Sequence, residues 1–380
     1  MPEVVVVGAG IIGAACAEAL THAGLSVLVV DRGDPASGTT AAGEGNVLVS
    51  DKEPGPELAL AIASRQEWPS VLERLQADVE WEPKGGLVVA TTSLELLEKF
   101  AASQRDAGVE AIAVSSAEAL ELEPLLTPRV AGGVYYPDDA QLQPVLAATA
   151  LLAAVRARGG EVRGGVTATG VRQAGARVVG LETSTGFIPC ETVVNACGPW
   201  SGAFASAAGT PVEVLPRRGM ILVTAPLPEC VRHKVYDADY VGAVGSGEAD
   251  LQTSTVVEST RGGTILIGSS RERIGFDGTI RVRVLQELAA KAVGLFPFLA
   301  DVPVMRAYGG FRPYAPDHLP VIGADPRLQG LWHATGHEGA GIGLAASTGR
   351  LISELMTGRT PHVDAEPFQV GRNAVIGAAS

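Results

Sequence analysis

The chain opens on a strand pattern and turns at once into a helix pattern. Residues 4–7 are four valines, an unbroken β-branched run that suits a strand buried on both faces. Gly8-Ala9-Gly10-Ile11-Ile12-Gly13 follows, then strong helix formers over residues 14–23, stopped by Gly24. Residues 25–30 predict a second strand closing on Asp31, and a loop of small residues runs from Ser37 to Gly45. Beyond it the pattern predicts a helix over 58–75, a strand over 86–91, and a helix over 94–107 stopped by Gly108. Pro144 opens a helix over 145–158, closed by Gly159-Gly160. Short strands lead to Val193-Val194-Asn195-Ala196-Cys197-Gly198.

Residues 212–285 read as β-rich, with strands at 220–224, 254–258 and 264–269. The last third carries Gly309-Gly310-Phe311-Arg312-Pro313, strands at 321–322 and 331–334, and the turn Gly336-His337-Glu338-Gly339-Ala340-Gly341 leading into a helix to Met356. No internal repeat is apparent. Glycine turns of dinucleotide-binding type stand at both ends of the chain with β-rich sequence between them, so interleaved domains are expected.

Composition narrows the function classes. The 380 residues include 47 glycines, roughly twice the usual ~7% share, but they lie between apolar runs and not in polar low-complexity tracts. The net charge is −13 and no Lys/Arg cluster interrupts it, which argues against nucleic-acid or anionic-membrane binding. The longest apolar stretch, residues 145–155, falls short of the ~18 residues of a membrane span. The first strand begins so early that no leader is expected. Cys16, Cys190, Cys197 and Cys230 lie far apart without a Cys-x-x-Cys, so neither a metal site nor a disulfide framework is expected, and the cytoplasm suits the chain.

The N-terminal glycines have distinct tasks. Gly8 permits the tight turn, Gly10 lets backbone approach a pyrophosphate, and Gly13 lets helix and strand pack closely. The helix N-terminus offers free N–H groups to phosphate, and Asp31 is placed to accept ribose hydroxyls. This unit alone does not separate NAD from FAD. The loop Ser-Gly-Thr-Thr-Ala-Ala-Gly-Glu-Gly-Asn (37–46), the turn after 193–195 and the Gly336–Gly343 turn are further places for a long cofactor.

Four ordered motifs, the N-terminal fingerprint, Val-Asn-Ala-x-Gly-x-Trp (194–200), Gly-x-Arg-Pro followed by Pro-Asp-x-x-Pro-x-Ile-Gly (310–323), and Gly-His-x-x-x-Gly-Ile (336–342), span nearly the whole chain. With them the sequence resembles the FAD-dependent D-amino acid oxidase family, which includes glycine and sarcosine oxidases. Gly268-Ser269-Ser270-Arg271-Glu272, Gly275-Phe276-Asp277 and Gly336–Gly339 resemble more narrowly the branch of hydroxyproline and proline dehydrogenase β subunits, opine oxidase subunits and hydrogen cyanide synthase subunits.

The resemblance implies an α/β fold. A Rossmann-like FAD-binding domain (1–84, 141–215 and 304–380) would be interleaved with an α+β substrate domain on a largely antiparallel sheet (85–140 and 216–303). It places FAD against Gly8, Gly10, Ile11, Ile12 and Gly13, then Asp31 and Arg32, then Thr39, Thr40, Ala42, Gly43, Gly45 and Asn46. Val166, Ala196, Gly198, Trp200 and Gly310 follow, with Gly336, His337, Glu338, Gly339, Gly341 and Ile342 at the C-terminal turn. It also implies that Arg312 holds the substrate carboxylate, a task that suits a guanidinium fork. The residues alone leave open a structural pairing of Arg312 with a nearby acid such as Asp317.

His337 is a candidate acid–base group but reads more readily as a turn or pocket residue. His318 and His333 read as structural, Asp138, Asp139, Glu121 and Glu123 as solvated charges, and Cys197 as a small packed residue. No cysteine follows Cys230, and Thr39-Thr40 is followed by Ala41-Ala42 where histidine-linked relatives differ, so FAD is expected to be non-covalent. No lysine lies between Lys234 and Lys291, which favours an electron acceptor other than oxygen. No tyrosine stands at Thr255-Val256-Val257-Glu258, where glycine oxidase presents one to its substrate. Tyr240 and Tyr308 are pocket candidates, and residues 241–251 read equally as an active-site loop or a connection.

The implied activity is FAD-dependent oxidation of a small or cyclic amino or imino acid, D-hydroxyproline or D-proline-like acids favoured, by hydride transfer to flavin N5. Electrons would pass to a partner subunit or another acceptor. The alternatives are an oxygen-using glycine, sarcosine or D-amino acid oxidase, and an electron-relay or scaffold subunit lacking its own substrate site.

Overall fold

The computed structural model describes residues 1–238 and 250–377. Strand Val4–Val7 lies inside a six-stranded sheet, paired in parallel with Val27–Val30 on one side and Thr192–Asn195 on the other. Glu161–Arg163 and Leu331–Thr335 extend the parallel set, and Val321–Ala324 adds an antiparallel edge. The absence of polar alternation in the first strand has a direct cause. Val4 and Val6 enter one core with Val29 and Val194, while Val5 and Val7 enter another with Leu28, Val30 and Val193. Both faces are covered, so no position is free to be polar.

Helix Ile11–His22 follows the glycine turn and packs against the long C-terminal helix Gly341–Met356. The approach is close because Ala14, Ala15 and Ala17 form the buried face of the first helix. Helices Pro56–Leu75 and Pro144–Ala157 complete this layer. Each begins on the proline that opens it, which supplies a preset φ where no N–H partner is needed.

The second sheet has eight strands in the order Val304–Tyr314, Leu215–Thr224, Ile265–Arg271, Gln252–Ser259, Lys234–Asp237, Gly86–Ala90, Gly132–Tyr136 and Ile112–Ser115. All neighbours are antiparallel except Lys234–Asp237 with Gly86–Ala90. One face carries Met220, Leu222, Val257, Ile265 and Ile267 into a core with Val284, Leu288, Ala292 and Leu295. Those last four lie on helix Val282–Leu295, at helical spacing. The expectation of β-rich sequence to residue 285 is corrected here, because Val282 and Val284 belong to this helix.

Strand Val304–Tyr314, expected among the FAD-binding segments, hydrogen-bonds along its length to Leu215–Thr224 in the eight-stranded sheet. Asp139 and Glu123 are not solvated: both are fully buried. Asp139 accepts from Val49 N at 2.9 Å and from the Ser50 hydroxyl, while Glu123 accepts from Arg232 N at 2.8 Å and His233 N at 2.6 Å. Among the described residues no helix is long and apolar enough to cross a membrane, and no cluster of metal-ligating side chains occurs.

Candidate functional site

A cavity of about 550 Å³ is lined from both sheets and from the loop 37–46. Its floor is the glycine turn after the first strand. Gly8 has φ +113°, and a Cβ there would strike the Ala196 carbonyl, so the crossing of two chain segments depends on a missing side chain. Thr40 Oγ1 accepts from Ile11 N at 3.0 Å and ties the small-residue loop to the helix start. Asp31 accepts from Ala9 N at 2.7 Å and Gly33 N at 2.9 Å, which fixes its carboxylate on the cavity wall. Arg32 stacks over Trp200 at 3.9 Å, Trp200 stacks on Phe276, and Phe276 meets Phe311 edge-on.

Every residue expected to touch cofactor lines this cavity except Gly13 and Gly336. Gly13 works from behind, since a Cβ there would run into the Gly8 carbonyl. Gly336 has φ +75° and packs against Val321 and Ala315. The elongated cradle runs from Asp31 and Val166 to Gly43, Gly310 and Ile342, and suits a dinucleotide that needs close backbone approach at several points. Tyr240 and residues 241–249 lie outside the described residues. Tyr308 is a member of a small apolar group with Ile221, Val223 and Leu266.

Arg312 lines the same cavity, and its Nη1 donates to Ser270 O at 2.8 Å. Its guanidinium lies over Gly219 of the neighbouring strand. Asp317 is bonded instead by Arg372, Nε to Oδ2 at 2.8 Å. Among the described residues Asp317 is thus the partner of Arg372.

His337 is buried, with Nε2 at 3.0 Å from Thr348 Oγ1 and Nδ1 unpartnered. Burial pushes its pKa down to about 3, so it is neutral at physiological pH. Glu338 receives Arg217 Nη1 at 2.5 Å and faces His318 Nδ1 at 3.2 Å. Burial alone would raise its pKa, but the His318 hydrogen bond and the charges of Arg217 and Arg271 outweigh that and hold it at about 2. His318 thus supports Glu338 and does not itself line the cavity. His333 is structural, at 3.1 Å from both Asn195 Nδ2 and Asp325 Oδ2. Burial pushes the Cys197 thiol up to about 12, in keeping with a packed, unreactive residue.

A family model described as DAO, FAD dependent oxidoreductase, matches residues 3–355. The chain belongs to the DAO family of FAD-dependent oxidoreductases.

It is 32% identical to a glycine oxidase of Pseudomonas aeruginosa over 96% of this chain and 98% of that protein. It is 27% identical to the hydrogen cyanide synthase subunit HcnC of the same organism, over 97% and 96% of the two chains. The crystal structure of glycine oxidase from Geobacillus kaustophilus superposes with a TM-score of 0.89 at 26% identity, covering 98% of each chain. FAD is the cofactor of this DAO-family chain.

Sequence reasoning quoted Glu44 and Arg271 within motifs without giving either a task, and passed over Gly219 and Ile221. All four line the cavity. The available signal was alternation: in Leu215–Thr224 the apolar Met220 and Leu222 face the core, which leaves 219 and 221 on the other face.

Proposed function

We propose that the chain oxidises a small or cyclic amino or imino acid at its C–N bond, with Arg312 as the anchor for the substrate carboxylate. The observation that carries this reading is the Arg312 guanidinium, held by Ser270 O and seated over Gly219 on the wall of the FAD cavity. A guanidinium stays charged at any working pH and matches a carboxylate bidentately. FAD, when bound, supplies the two-electron acceptor for hydride from the substrate carbon.

The chain's own residues position and enclose. Gly8, Gly10 and Asp31 would hold one end of the dinucleotide, and Gly43, Gly310 and Ile342 the other. The N-terminus of the 16-residue helix Gly341–Met356 opens on the cavity and favours negative charge there. Neutral His337 shapes the turn and carries no proton in the reaction. The cofactor is bound without a covalent link, as the lack of any cysteine after Cys230 supports.

D-Hydroxyproline and D-proline-like acids are the favoured substrates. Two residues of the branch motifs support this choice by their placement: Arg271 lines the cavity and Phe276 stacks on Trp200. Electrons pass to a partner subunit or another acceptor, a reading supported by the relative named as a synthase subunit. The similarity to a glycine oxidase favours a second reading, an oxygen-using oxidase of glycine.

The test is anaerobic mixing of the yellow holoprotein with a panel of glycine, sarcosine and both enantiomers of proline, hydroxyproline and alanine. Bleaching by a cyclic acid and little peroxide in air are expected, with the bleaching lost in Arg312→Ala while FAD stays bound. Rapid peroxide release with glycine would replace the first reading by the second, and turnover by Arg312→Ala would refute the anchor.

A further inference from the structure

We propose that Glu44 is the receptor for the substrate's amino group and thereby the residue that selects amino acids over other carboxylates. This rests on the reading of the cavity as an amino-acid site. Glu44 lines the cavity that Arg312 lines and is only 8% exposed. Its Oε2 accepts from Asn46 Nδ2 at 3.2 Å, and its Oε1, fully buried, accepts from nothing. A buried carboxylate oxygen with no donor is costly, and a ligand N–H is the partner that such an oxygen calls for.

The surroundings hold the carboxylate in place. Lys234 Nζ donates to Glu258 Oε2 at 2.8 Å and to Asn46 Oδ1, while the Asn46 amide donates onward to Glu44. Lys234 and Glu258 are both buried, so this chain of donors is rigid, and it turns Asn46 to present its N–H groups to Glu44. On the far side Glu44 Oε1 occupies the place where a side chain at Gly268 would begin. A methyl group there would displace the carboxylate.

The spacing fits one ligand. Glu44 rests on Gly268 and Arg312 is bonded to Ser270, two positions along strand Ile265–Arg271. Two residues span at most about 7 Å of backbone. An acceptor for N–H and a fork for carboxylate are thus set over positions two residues apart on one strand, a spacing compatible with the two ends of a single α-amino acid. A carboxylate lacking the amine would satisfy Arg312 and leave Glu44 Oε1 without a donor, while Oε2 keeps Asn46 and, at 3.9 Å, Lys234.

The test compares α-aminoisobutyrate, which has no α-hydrogen to lose, with pivalate, the same shape carrying a methyl group in place of the amine. Dissociation constants are read from perturbation of the flavin absorption of the holoprotein. The wild type is expected to prefer aminoisobutyrate. Glu44→Gln should weaken that ligand about 10- to 100-fold, the range for hydrogen bonds to charged groups, with pivalate unchanged or tighter. Gly268→Ala, which moves the carboxylate without removing it, should lose the same preference, and FAD content reports whether each variant is folded. An intact preference for the amine in either FAD-loaded variant overturns the proposal. A wild type indifferent to both ligands and not bleached by any amino acid overturns instead the amino-acid reading on which it rests.

Discussion

Gly219→Ala offers the sharpest test of the anchor, because its effects on folding and on function separate. Gly219 pairs with Gly310, and Arg217 with Arg312, so Gly219 and Arg312 are diagonal neighbours on adjacent strands. A Cβ built on Gly219 would lie 2.7 Å from Arg312 Cζ and 2.8 Å from Nη2. Ordinary contact between such atoms is about 3.5 Å or more, so the guanidinium must retreat by roughly 1 Å. The clashing group is the free end of a flexible side chain, and Gly219 has no left-handed φ to lose. Folding should therefore change by less than about 1 kcal/mol, and alanine even suits a strand better than glycine. The anchor fares worse. A displacement of about 1 Å costs on the order of 100-fold in a positioned reaction, and losing one charge-assisted hydrogen bond costs about 1.5–3 kcal/mol. The assay is anaerobic stopped-flow bleaching, with melting temperature and FAD content measured on the same sample. We expect both of the latter near wild type and the apparent substrate Kd raised about 10- to 100-fold. Wild-type Kd in an FAD-loaded Gly219→Ala variant would refute the placement of the carboxylate on Arg312.

The remaining predictions concern the cradle and the buried charges. Gly13→Ala would press a methyl group on the Gly8 carbonyl, which is backbone and cannot yield, so the variant should purify without FAD; a yellow, stable protein would contradict the packing role. His337 has its pKa lowered from 6.5 to about 3, so between those values the unfolded chain binds a proton that the native chain does not. Stability present above pH 6.5 is lost as pH falls towards 3, at up to ~1.4 kcal/mol per pH unit, and His337→Asn should flatten the fall of melting temperature between pH 7 and 4.5. Lys234→Met strands the buried Glu258 carboxylate and should cost about 3–5 kcal/mol in denaturant unfolding, largely recovered in Lys234→Met/Glu258→Gln. Glu338→Gln removes a carboxylate that pairs with Arg217, whose side chain is 1% exposed. It should lower stability while tightening acetate binding through the added positive field; weaker acetate binding would count against the assigned electrostatics.

The parallel sheet was legible because burial on both faces leaves a continuous apolar run, and the glycine turn then has a fixed place at its end. Strand Val304–Tyr314 was harder to see. It is the outer strand of its sheet, only two of its eleven residues are buried, and it contains Gly309-Gly310 and Pro313, which weaken a strand signal. Helix Val282–Leu295 begins on Val282, Arg283 and Val284, whose β-branched pair hides the helical spacing of 284, 288, 292 and 295. Asp139 and Glu123 looked like surface charges because their partners are backbone N–H groups about 90 to 110 positions away. Glu44 was quoted within a small-residue loop, but its meaning depends on Gly268, which only the fold brings beneath it.

Alternation in the antiparallel sheet explains why the reacting side can be charged while the cofactor side is made of glycine. The parallel sheet is apolar on both faces, so it offers ligand only what lies at its strand ends: turns, backbone and helix N-termini. The eight-stranded sheet spends one face on its core, through Met220, Leu222, Ile265 and Ile267. The other face is then free to present Gly219, Ile221, Arg271 and Arg312 to the cavity. In a chain of net charge −13, the cavity lining carries both signs, Arg32, Arg271 and Arg312 against Asp31, Glu44 and Glu338. A ligand with one anionic and one cationic end answers that field better than a simple anion. The steep discrimination should accordingly lie in the amine, and the carboxylate should account mainly for affinity.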